Sequence, residues 1–152
     1  MLRQRLNDSL KTAMKAKDQV AVSTLRLILT AVKDRDIAAR NKGVDDGISD
    51  ADILQVLQTM IRQRHESIAL YRQGNREELA EQEEREIQVI EGFLPRQLSE
   101  AEMTDAIRSV IEETGAGSIK DMGKAMGALR ERYAGQMDFG KASAALKAAL
   151  TS

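Results

Sequence analysis

The chain has 152 residues and a formal net charge of −1, which suits one domain or two small ones. It has no cysteine, so disulfides, thiolate catalysis and cysteine-based zinc sites are excluded. Aromatic residues make up 3% of it and tryptophan is absent, so the core must be aliphatic and partly filled by methionine.

The first predicted helix runs from Leu2 to about Lys17, with Leu2, Leu6, Leu10 and Met14 as one apolar stripe. Asp18 is placed to cap a second helix that continues to about Asn41. Its stripe is Ala21, Leu25, Ile28, Leu29 and Val32. Arg26, Lys33 and Arg40 recur every seven residues and form a basic line beside it. That line reads either as a solvated face or as a secondary RNA contact.

Asn41 to Ser49 is a polar loop with Gly43 and Gly47. Ser49 caps a third helix that ends at Gly74, with Ile48 and Ile53 spaced as a hydrophobic staple. Ile53, Leu57, Met60, Ile61, Ile68 and Tyr71 form its apolar line. Arg64 interrupts that line, and the expectation is a guanidinium turned to water over an apolar stem. Asn75 and Glu78 have capping-box spacing and open a fourth helix rich in glutamate, whose carboxylates read as ionised and solvated.

Pro95 disfavours helix at Leu94, so the fourth helix must stop near Gly92. This divides the chain into residues 1–94 and 95–152. Ser99 and Glu102 form another capping box, and Leu98 with Met103 another staple. The fifth helix ends at Gly115. A glycine-rich sixth helix follows from about Ile119 to Tyr133, and Asp138 caps a last one through Ala142, Leu146 and Leu150. No run alternates as a strand would. The reading is all-α: a four-helix N-terminal part and a small three-helix C-terminal domain.

Charge is distributed unevenly. Residues 1–43 hold ten Lys/Arg against four Asp/Glu, residues 44–92 five against twelve, and residues 93–152 eight against eight. Apolar runs fall far short of a membrane span. The N-terminus MLRQRLNDSL has no apolar signal core. The expectation is a soluble, cytoplasmic monomer, with no membrane or DNA partner.

Catalytic patterns are lacking. His65 is the one histidine, and it has neither a second histidine for a metal nor a supporting triad signature. Residues 117–125, GSIKDMGKA, imitate a phosphate loop loosely. The glycine spacing is one residue too long, Ala125 stands where a magnesium-binding Ser/Thr belongs, and no strand precedes it. No catalytic residue, metal site or cofactor is assigned.

The most distinctive stretch is Gly115 to Lys141. Gly123 and Gly127 stand four apart, so they share one face of a helix. Each costs about 1 kcal/mol against alanine in a helix interior, and close approach of another backbone is the usual compensation. Tight packing against another helix of the small domain is the structural reading, and a close approach of RNA the functional one. Lys120, Lys124, Arg130, Arg132 and Lys141 surround the segment as candidate phosphate contacts.

The run from Lys120 to Leu129 (KDMGKAMGAL) and the run from Ala134 to Asp138 (AGQMD) resemble the signature of the GatB/YqeY family. Residues 15–29 and 93–99 also fit, so the likeness covers nearly the whole chain. The family is similar to the C-terminal tail of the B subunit of glutamyl-/aspartyl-tRNA amidotransferase. The resemblance implies a helical, non-catalytic module that binds tRNA or a tRNA-aminoacylation or amidation complex. The kinase-like active site of that subunit lies in a separate domain absent here. A carbon–nitrogen ligase label could attach by membership, but no residues here perform that reaction. The alternative is a protein-interaction adaptor that binds no nucleic acid. Scarce aromatics lean that way, since only Tyr71, Phe93, Tyr133 and Phe139 could stack on bases.

Overall fold

The computed structural model describes residues 1–151, and over them the chain is all-α. Its helices are α1 Leu2–Ala16, α2 Gln19–Arg40, α3 Asp50–Gln73, α4 Glu77–Glu91, α5 Glu100–Thr114, α6 Met122–Arg132 and α7 Phe139–Thr151. A single 3₁₀ turn, Ile119–Asp121, precedes α6. The chain forms two compact units, residues 1–94 and 95–152.

In the first unit, Lys17 takes the left-handed conformation at φ 58° and Asp18 accepts from the Ala21 amide at 3.1 Å. That pair turns α1 into α2 in two residues. Leu2, Leu6, Leu25, Ile28, Val32, Ile53, Leu57, Ile90 and Phe93 make a shared core. The expected α1 stripe drifts: Met14 is half-exposed and Ala13 is buried instead. A spacing of four residues overshoots the helical repeat by about 40° per step, so the fourth member has rotated out of the interface.

The loop before α3 is held down by Asp36. Its carboxylate receives both terminal nitrogens of Arg3 at 2.8 and 3.0 Å and the Ile48 amide at 2.8 Å. Ser49 then accepts from the Asp52 amide and starts α3. The start of α4 departs from expectation. Asn75 is no cap; it is the left-handed residue of the turn, at φ 58°, and Arg76 precedes the helix without a side-chain cap. Asparagine tolerates that backbone region, and Arg76 engages Glu78 at 2.8 Å.

Arg64 also departs. Its side chain is 11% exposed and faces Glu83 and Glu86 of α4 instead of reaching water. The acidic helix therefore buries part of its charge against α3. Ile68, Ala80 and Ile87 close the far end of that hairpin.

In the second unit, Ser99 and Glu102 make the full reciprocal capping box at 3.1 Å each way. Gly115 ends α5 in the left-handed region at φ 69°. Ser118 accepts from the Lys120 amide, and Asp121 accepts from Gly117 at 2.9 Å. These local bonds hold Ile119–Asp121 as a 3₁₀ turn, so the sixth α-helix begins later than the sequence predicts. Ile107, Val110, Ala125, Met126, Leu129, Met137, Ala142 and Leu146 form the core. Buried Gly135, at φ 76°, turns the chain so that Gln97 Nε2 and the Leu98 amide donate to the carbonyls of Gly135 and Gln136. Asp138 accepts from the Gly140 amide at 2.8 Å at the start of α7.

Candidate nucleic-acid interface

α6 buries Ala125, Met126 and Leu129 against its own unit. The 3.6-residue repeat then fixes what lies opposite. Gly123, Gly127 and Arg130 follow at i, i+4 and i+7, with Lys124 and Glu131 alongside. All five are exposed.

The expectation that Gly123 and Gly127 pack tightly against another helix is corrected. A Cβ built at either would meet nothing within 4 Å. The buried face of α6 is taken by Met126 and Leu129, and one helix cannot turn both faces to one core. The two glycines therefore lower helix propensity by about 1 kcal/mol each with no packing gain within the unit.

The five candidate cations do not form one cluster. Lys120 precedes α6 in the 3₁₀ turn, Lys124 and Arg130 flank Gly127 at i−3 and i+3, and Lys141 stands on α7. All four are exposed, and among the described residues none has a side-chain ion pair. Arg132 differs: it is tied to Glu113 of α5. What the site offers is a helix face with a side-chain-free floor at Gly127 and a cation on either side. Such a floor admits close approach of a backbone, and the cations suit phosphate oxygens.

Arg26, Lys33 and Arg40 belong to the first unit, where they are exposed along α2. His65 is exposed on α3. Among the described residues no group of three His, Asp or Glu side chains is placed to hold a metal ion. No helix there is long and apolar enough to cross a membrane. Once Ala125, Met126 and Leu129 are known to be buried, the helical repeat places the glycines on the opposite, open face.

The model of the family described as Yqey-like protein matches residues 3–150. The curated relatives include the altered inheritance of mitochondria protein 41, mitochondrial, from several fungi. The Kluyveromyces lactis protein is 34% identical over 88 residues, 58% of this chain and 45% of the relative. The Lachancea thermotolerans protein is 33% identical over 110 residues, 71% of this chain and 57% of the relative. The Pyrenophora tritici-repentis protein is 27% identical over 136 residues, 84% of this chain and 71% of the relative. In the first two, the match spans about half the relative's length. These names correct the expectation of a cytoplasmic protein, because the location they carry is mitochondrial. Composition and short apolar runs speak to solubility, and a compartment is not encoded in either.

Proposed function

Because the chain belongs to the YqeY-like family, we propose that it is a non-catalytic module that binds tRNA or a tRNA–enzyme complex through the exposed face of α6. The observation that carries this reading is the pair of open glycines, Gly123 and Gly127, flanked by the unpaired Lys124 and Arg130. A buried glycine face would answer to packing, and an exposed one calls for a ligand that comes close. Phosphate fits, because the neighbouring cations are not neutralised by the chain itself. Recognition of this kind reads the backbone and not the bases, in keeping with the few aromatics. The protein acts as a monomer in this reading.

Fluorescence anisotropy of labelled tRNA against increasing protein, repeated across salt concentrations, tests it. The expected result is measurable affinity at low salt that falls steeply as salt rises. No affinity at low salt overturns the RNA reading for the isolated chain, and the adaptor reading takes its place.

A further inference from the structure

Within the first unit α2 presents its inner face, Thr24, Leu25, Ile28 and Val32, to the core. Its outer face carries two parallel lines. Ser23, Leu27, Thr30, Asp34 and Ile37 follow helical spacing, and Arg26, Lys33 and Arg40 run beside them seven residues apart. Leu27 is 50% exposed and Ile37 47%. A trough of about 360 Å³ lies along the N-terminal half of this face, lined by Gln19, Val22, Ser23, Arg26, Leu27 and Thr30. Arg26, Lys33 and Arg40 have no ion pair among the described residues, although Arg3, Arg64, Arg72, Arg76 and Arg96 all do. Asp34 is the one carboxylate among these lines.

We propose that the outer face of α2 docks an acidic amphipathic helix of a partner protein. The occupant is argued from charge complementarity and period. Cations at i, i+7 and i+14 run about 21 Å along one side of a helix. A second helix laid alongside meets them with carboxylates at the same spacing, as flanking charges do in a coiled coil. Leu27 and Ile37 supply the apolar seam that such a helix would cover. A phosphate backbone would use the cations but gain little from two aliphatic side chains. This surface belongs to the first unit and the α6 face to the second, and the inference stands whether or not the protein binds tRNA.

The test uses the full chain and a dye-labelled synthetic helix of about three heptads, with leucines on one face and glutamates beside them. A matched peptide has lysine in place of every glutamate. Anisotropy should show binding of the acidic peptide only. Leu27→Ala should weaken it roughly tenfold. Arg26→Glu with Lys33→Glu should abolish it and give binding to the lysine peptide instead. These positions are exposed, so far-UV circular dichroism should stay unchanged, and Lys124→Ala should leave peptide binding as it was. No binding of the acidic peptide at low salt, or binding indifferent to Leu27→Ala, overturns the proposal. So does RNA binding that is lost in the double charge reversal but untouched by Leu27→Ala. Self-association abolished by Lys33→Glu would assign the face to a second copy and also overturn it.

Discussion

Arg64 Nε on α3 lies 3.7 Å from Glu83 Oε2 on α4, with both side chains largely withdrawn from water. Glu86 Oε2 stands 3.8 Å from the same nitrogen. These separations are ion pairs but too long for hydrogen bonds, and Nε has no hydrogen-bond partner. One cation thus serves two carboxylates in a half-dry interface. The Glu83 carboxyl is pushed above its usual range by burial first and by the Glu86 charge second, with Arg64 opposing.

The first prediction follows from that imbalance. A carboxyl raised in the folded state above its unfolded value contributes stability below the unfolded pKa, and loses it as pH rises through the folded one. Glu83→Gln should therefore be more stable than the native chain at pH 7, with the gap closing as pH falls into the ordinary glutamate range. Arg64→Ala should lose about 2–3 kcal/mol, because it leaves two half-buried carboxylates facing each other. Urea unfolding at neutral and acid pH checks both. A Glu83→Gln protein that is less stable at pH 7 would show that the pair outweighs the desolvation.

Thr24 gives a second. It is fully buried in α2 and its hydroxyl has no hydrogen-bond partner. An unsatisfied buried hydroxyl costs about 1–3 kcal/mol, and valine has the same shape without it. Thr24→Val should raise stability by about 1 kcal/mol. Thermal unfolding would read this as a higher Tm.

A third concerns Gly127. With open space where its Cβ would lie, Gly127→Ala should stabilise by about 0.5–1 kcal/mol through helix propensity. Gly127→Leu should not overpack anything. If the α6 reading holds, the same Gly127→Leu protein should bind tRNA less well while unfolding at higher denaturant. Loss of stability in Gly127→Ala would return the glycine to a packed face.

The fourth separates phosphate contacts from structure. Lys124→Ala and Arg130→Ala should leave the Tm nearly unchanged and weaken binding to all tRNAs alike. Each should flatten the slope of log affinity against log salt by roughly 0.7 to 0.9. A change in which tRNA is preferred would instead point to base contacts.

The capping box before α5 gives the fifth. Ser99→Ala should cost about 1 kcal/mol, by leaving the Glu102 amide without its acceptor. Glu102 is lowered to about 2, first by its bonds to Arg96 and then by the Ser99 amide. A depressed carboxyl contributes stability above its unfolded pKa and loses it as pH falls through the folded one. Acid unfolding of Glu102→Gln should accordingly begin from a lower plateau and show a shallower loss between the ordinary glutamate range and about pH 2.

The sequence by itself determined the helices and most of their ends. Asp18, Ser49 and Ser99 cap where their spacing says, because a cap is a bond between residues two or three apart. It also determined the family, through the run from Lys120 to Leu129. Only the tertiary structure decided which faces are covered. Gly123 and Gly127 look the same in sequence whether they meet a helix or open space. Arg64 looks like a snorkelling cation until α4 closes over it with Glu83 and Glu86. Burial is set by residues distant in the chain, and no local period can report what a neighbouring helix brings.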